Sequence, residues 1–292
     1  PHSHQQQTSP QMLSVGPTDD VTNRKVRHMT YTPPTTAGLS VESYTSPAQS
    51  GRIASPSGQP LRVMPLMRTY EVAHLTTSLT IEENIVIAPA LPVFETAFAA
   101  FGRGAILRTE NGPMAVEDLL PGDRVMTAES GFQTLMWRGA ITLHPARNGQ
   151  PSLGAMTRIT TDAMGYGRPN PDLVLGPSAR ILYKNPAIKI LTGTASALVP
   201  IRDFVDDSST IALNPISPVQ CYQLGFKGHC CVNVNGIDVE TLHPGPAHFL
   251  RLTGAMKLYF EQLFAHKADP ADFGPMIAPR LRMDDINLVT AA

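Results

Sequence analysis

Gly112-Pro-Met-Ala-Val-Glu-Asp-Leu-Leu-Pro-Gly-Asp-Arg-Val125 is the stretch on which the reading of this 292-residue chain turns. Its centre, Pro121-Gly122-Asp123, is turn chemistry. Proline presets φ, glycine supplies a positive φ, and the aspartate carboxylate can accept hydrogen bonds from nearby amides. These three residues are read as a structural turn, not as catalytic groups. Val116–Leu120, just before the turn, reads as a single helical turn. On both sides lie short apolar runs separated by Gly, Pro, Asn and Asp. They include Ala105–Thr109, Arg124–Thr127, Gln133–Leu143, Arg180–Tyr183, Ile188–Leu191, Cys221–Gly225 and Cys230–Val234. Strands this short and this frequent predict a mainly β, strongly curved domain.

Working outward, Arg68–Leu75 and Leu79–Ile87 read as two strands, and Thr76-Thr-Ser78 between them predicts a β-hairpin. Pro92–Phe101 reads as one short helix opened by its proline. Beyond the β region, Ala247–Phe264 carries an apolar helical stripe that predicts a packed C-terminal helix. The first 60 residues differ from all of this. His2, His4, Gln5–Gln7 and scattered Ser, Thr and Pro give almost no apolar periodicity. Such a segment cannot offset its ordering entropy alone, so it is expected to act as an extended arm that orders along another surface.

Composition narrows the function classes. The formal net charge is −1 and 16% of residues are charged, which argues against a dedicated nucleic-acid binder. No run of 18 apolar residues occurs, so no membrane-spanning helix is expected. The N-terminus lacks a basic-then-apolar pattern, so no secretory signal is expected. The cysteines, Cys221, Cys230 and Cys231, are odd in number and include a vicinal pair, unlike a disulfide framework. They read as small buried apolar residues in a reducing compartment, which favours a cytoplasmic or cytoplasm-facing location.

Three stretches together resemble the bacterial Hint (hedgehog/intein) domain family. The first runs from Ala100-Phe-Gly-Arg-Gly-Ala-Ile-Leu-Arg-Thr109 through Gly112–Val125. In the family this reads as a Cys opening a strand, a Gly-Thr pair and a V-E-D-L-x-P-G-D-x-V turn. The second, Asp172–Leu182, resembles the block containing S-P-x-H-R-x-L. The third comprises Gln220–Leu224 to His229 and then Val239–Gly245. The resemblance implies self-processing: a Cys or Ser at the first position attacks the preceding carbonyl, and a His in the second block protonates the leaving nitrogen. Carried over residue by residue, the nucleophile falls on Ala100, the His on Ala179 and the supporting Thr on Ala105. A methyl group can neither attack a carbonyl nor carry a proton. The hydroxyls nearest Ala100 in sequence belong to Thr96 and Thr109, and beside Ala179 stands only Ser178, whose hydroxyl is unsuited to proton transfer at neutral pH.

His229, His243 and Ser178 remain as candidates for a vestigial pocket. Two histidines near a cysteine could bind zinc, but His229-Cys230-Cys231 matches no established zinc spacing, so no metal or cofactor is expected. His243, before Pro244-Gly245, is expected to hydrogen-bond a turn. His144 and His266 read as surface or cap positions, and Trp137 as a core anchor. Gly176-Pro-Ser-Ala lacks the second glycine of a hydrolase elbow, and Gly165–Asp172 is a Pro-rich loop, not a phosphate cradle.

The sequence therefore predicts a Hint-like curved β horseshoe over residues 94–250. It is preceded by an arm (1–60) and a hairpin or linker (61–93) and followed by a C-terminal helical segment (251–292). The expected role is that of a non-catalytic accessory subunit. The inactive domain is the scaffold, and the arm and C-terminal segment contact protein partners in a larger assembly. The alternatives are self-cleavage near Phe98–Ala100 through an unrecognised nucleophile, and a small-molecule or metal-binding module built on the vestigial pocket.

Overall fold

The computed structural model describes residues 66–145, 153–245 and 254–290, all within one compact unit, Ser50–Ala292. The predicted arm and the start of the predicted terminal helix, residues 247–253, lie outside the described residues. The rest is mainly β. In chain order the strands are β1 (Met67–Leu75), β2 (Ile81–Pro89), β3 (Phe101–Gly102), β4 (Ile106–Thr109), β5 (Gly112–Ala115) and β6 (Arg124–Thr127). There follow β7 (Gly131–Thr134), β8 (Trp137–Leu143), β9 (Met156–Ile159), β10 (Leu173–Leu175) and β11 (Arg180–Lys184). The last are β12 (Ser196–Pro200), β13 (Thr210–Leu213), β14 (Val219–Gly225), β15 (Cys231–Val234) and β16 (Ile237–Glu240). Among the described residues, four α-helices accompany them: α1 (Pro92–Glu95), α2 (Ile188–Thr192), α3 (Gly254–Leu263) and α4 (Met283–Thr290).

Two antiparallel sheets form. One runs β13-β9-β10-β3-β14-β8-β1-β2, the other β12-β11-β16-β15-β4-β6-β7 with β5 beside β4. Alternation along β14 sets the layers. Tyr222 and Leu224 enter the main core with Ala140, Leu107 and Val232, while Cys221 faces the other way. On that second face Cys221, Trp137, Phe98, Phe260 and Phe264 make a separate core. Trp137 is fully buried there, its indole N–H donating to the Leu263 carbonyl at 2.8 Å. The predicted hairpin is present, closed by the Thr76, Ser78 and Thr80 hydroxyls around Leu79 at φ 61°.

Several local expectations are corrected. Gln133–Leu143 is not one strand. Leu135 leaves the ladder to pair with the turn, donating to the Asp123 carbonyl and accepting from Gly122 N–H, both at 2.8 Å, and the chain crosses from one sheet to the other. Ile188–Leu191 is helix α2. The Asn185 carboxamide accepts from Ala187 N–H at 2.9 Å, and Gly193 closes the helix at φ 80°. Of its two isoleucines only Ile188 is buried, and Ile190 is exposed. The helix predicted over Pro92–Phe101 stops early, as α1 and a 3-10 turn, Thr96–Phe98. Ala100 N–H is already committed to the Tyr222 carbonyl, which draws the chain into the sheet. Val116–Asp118 is a hydrogen-bonded turn, not a helix. His266 is no surface group: its ring stacks on Trp137 at 5.5 Å and both ring nitrogens are buried.

Candidate functional site

The Ala99–Ala100 peptide lies between β14 and the turn that follows β10. Ala100 N–H donates to the Tyr222 carbonyl at 3.1 Å, and the Ala100 carbonyl accepts from Gly176 N–H at 2.8 Å. The Ala99 carbonyl accepts from Ser178 N–H at 3.1 Å. Gly176 makes this approach possible. A methyl group there would sit 2.1 Å from the Ala99 oxygen, so no other residue fits without moving the backbone. Ala179 N–H then closes the turn on the Gly176 carbonyl at 3.1 Å.

Ala100, Ala105 and Ala179 share one core. All three are at most 2% exposed and belong to the main apolar core. The segments around Ala100 and Ala179 meet at the Ala99–Ala100 peptide. One amide, that of Ser178, points at the Ala99 carbonyl. Beside it the Ser178 hydroxyl is buried without a hydrogen-bond partner. The thiols are sequestered, since burial pushes those of Cys221 and Cys230 up to about 12. The three cysteines are free, and the vicinal pair points into two different cores.

The Val116–Val125 segment braces this site. The Glu117 carboxylate accepts from Gly104 N–H at 2.9 Å, which fixes the β3–β4 turn just after Ala100. Arg138 clamps the same segment by donating to the Glu117 and Leu119 carbonyls at 2.6 and 2.7 Å. Gly122 sits at φ 105°, and the Asp123 carboxylate accepts from Leu120 N–H at 2.7 Å. Pro121, buried, completes the turn.

His229 and His243 do come together, with ring centroids 4.6 Å apart. Their partners, however, lie toward the C-terminal segment. His229 Nδ1 accepts from Ile277 N–H at 3.2 Å, so its proton sits on Nε2, which lies 3.2 Å from Glu240 Oε1 but off the line of a straight hydrogen bond. His243 Nδ1 accepts from Gly245 N–H and its Nε2–H donates to the Gly274 carbonyl, both at 3.0 Å. Burial lowers its pKa. Glu240, 4% exposed, anchors the group. Arg280 reaches one of its oxygens at 2.8 and 2.9 Å, and Arg180 the other at 3.2 Å. Burial pushes Glu240 up, but His229 and the two guanidiniums outweigh it and hold the carboxyl at about 2. Arg180 follows Ala179 in sequence and joins this cluster to the site above.

Glu117, Glu240 and Arg280 were not singled out from the sequence. Glu117 stood inside the quoted motif, whereas nothing local marks Arg280 as the partner of Glu240, 40 residues away. Among the described residues, no three His, Cys, Asp or Glu side chains gather as a metal site requires. No described helix is long and apolar enough to cross a membrane.

Two antiparallel sheets of short strands, packed over the buried Ala99–Ala100 peptide, define a mainly β domain. The chain belongs to the Hint domain family: residues 99–246 match the family model of the Hint domain. No curated protein matches the chain.

Proposed function

We propose that this protein is a non-catalytic member of the Hint family, with the domain serving as scaffold. One observation carries the reading: the Ala99–Ala100 peptide is held against two buried methyl groups, Ala100 and Ala179, in place of a nucleophile and a proton donor. The segment before the junction supports it. Self-processing would free what precedes Ala100, yet β1 pairs with β8, and Tyr70, Phe94 and Phe98 are fully buried in the second core. A cut here would release nothing under native conditions. The arm and the C-terminal segment then supply contacts to protein partners. Deleting residues 1–60 leaves a folded domain and abolishes co-purification with those partners. Undiminished co-purification would remove the arm from this role.

Self-cleavage between Phe98 and Ala100 is a second reading. It draws on the surviving Ser178 amide at the Ala99 carbonyl and on the unpaired Ser178 hydroxyl beside it. Fragments separating only under denaturing conditions would support it.

A further inference from the structure

His266 is placed where a histidine has nothing to bond. Its ring stacks on the Trp137 indole, with centroids 5.5 Å apart and planes 27° from parallel, and meets Phe273 edge-on at 5.9 Å. Both ring nitrogens are buried, and neither has a hydrogen-bond partner among the described residues. Nε2 lies against Gly225, where an added methyl would sit 3.1 Å from it, and the Gly225 carbonyl is already engaged by Met136 N–H. Buried polar groups are normally paired, so an imidazole orphaned at both nitrogens inside an aromatic core calls for a reason. His266 follows α3 and precedes a 3-10 turn, Pro270–Phe273. From this segment Phe260, Leu263, Phe264 and Phe273 cover the second core. Among the described residues side chains hold it there. The Trp137 indole donates to the Leu263 carbonyl, and the Lys267 ammonium donates to the Lys227 carbonyl at 2.6 Å.

The groups around the ring are hostile to a cation. Its chain neighbour Lys267 is 8% exposed, with its ammonium 5.2 Å from the Phe273 ring centre. From β1 comes His74, whose Nδ1 is likewise buried without a partner. The carboxylates of the surrounding elements face elsewhere: Glu82 of β2 lies 3.8 Å from His74 Nε2, and Asp272 accepts from Ala268 and Asp269 N–H. Asp269 and Lys227 are exposed. His243 is the other titratable ring against this segment, 6.0 Å from Phe273. We propose that His266 is a proton-triggered latch: an added proton drives its ring off Trp137, and residues 254–273 open from the sheets while the sheets stay folded. A protonated imidazole brings a second N–H donor and a positive charge into a space that offers neither acceptor nor counter-ion. Burial, Lys267 and His74 all hold the pKa of the closed ring well below 6.5. Once released, the ring takes its proton near pH 6.5, so the opened population is favoured as pH falls below that value. For a single proton refused by the closed form, that population grows about ten-fold between pH 7.5 and 5.5. The latch stands whether or not the domain is catalytic.

Amide hydrogen exchange over Leu258–Phe264 in the full chain tests this, compared at pH 7.5 and 5.5 after correction for the intrinsic pH dependence of exchange. Protection of these amides falls about ten-fold, while β8 amides remain protected at pH 5.5 and show that the sheets are folded. His266→Phe keeps an aromatic ring on Trp137 and reduces the fall to less than two-fold. Should the phenyl ring not be accommodated, His266→Met gives the same result. Protection that does not change with pH in the native chain would overturn the proposal. So would a full ten-fold fall in the folded His266 variant, which would assign the opening to His74 or His243.

Discussion

Replacing Gly176 with alanine tests whether the Ala99–Ala100 peptide is a fixed structural element. The new methyl would lie 2.1 Å from the Ala99 oxygen, 2.7 Å from its carbon and 3.3 Å from the Ala100 nitrogen. Ordinary contact needs about 3.5 Å, so backbone must retreat from backbone by roughly 1.4 Å. That movement breaks the Gly176–Ala100 and Ser178–Ala99 hydrogen bonds, each worth about 1 kcal/mol net. Overpacking adds about 1–3 kcal/mol. The expected loss is about 3–5 kcal/mol, or a fall in Tm of about 6–20 °C for a domain of this size. Gly176 does not have a positive φ, so the effect is steric and not conformational. Gly228→Ala is the matched control: nothing lies within 4 Å of the added methyl, and the change should stay within about 0.5 kcal/mol. Urea unfolding followed by Trp137 fluorescence provides the measurement. A Gly176→Ala loss below about 1 kcal/mol would refute the packing argument.

Two further outcomes follow from the buried polar groups. Arg280→Ala removes one partner of a 4%-exposed carboxylate, and with Arg180 and His229 remaining the loss is about 3 kcal/mol, accompanied by faster thermolysin cleavage within residues 274–283; unchanged stability and cleavage would count against the cluster. Stability also falls in acid. Burial lowers the pKa values of His74, His243 and His266 from 6.5, so the unfolded chain binds protons that the folded chain refuses. The contribution is complete above pH 6.5 and declines below it, by at most about 1.4 kcal/mol per pH unit per histidine. Glu240, held at about 2, extends the same trend below pH 4.5. A pH titration of urea midpoints that stays flat from pH 7 to 5 would contradict this.

What was legible in the sequence followed from local chemistry. The hairpin could be read because alternation and turn residues coincide over Arg68–Ile87. The Pro121–Asp123 turn could be read because glycine and aspartate act within three residues of themselves. The family blocks around Ala100 and Ala179 could be read because their motifs are local, and both lie within the family match over residues 99–246. Gln133–Leu143 was misread because its break at Leu135 is imposed by hydrogen bonds to Gly122 and Asp123, and local pattern carries no trace of them. Ile188–Leu191 was misread because a spacing of two suits a strand, while Asn185, which ties the turn before the helix, and Gly193, its C-cap, lie outside the run. The Glu240 cluster was illegible for the same reason at longer range. Its stability rests on Arg180 and Arg280, from separate parts of the chain, and no spacing rule links them to Glu240.

The most direct test of the account is the intact mass of the full chain under denaturing conditions after prolonged incubation with thiol or hydroxylamine. Denaturation matters because β1 and Phe98 would hold a cut fragment in place. The account predicts a single species of full-chain mass. Two fragments summing to that mass, with the break between Phe98 and Ala100, would contradict it.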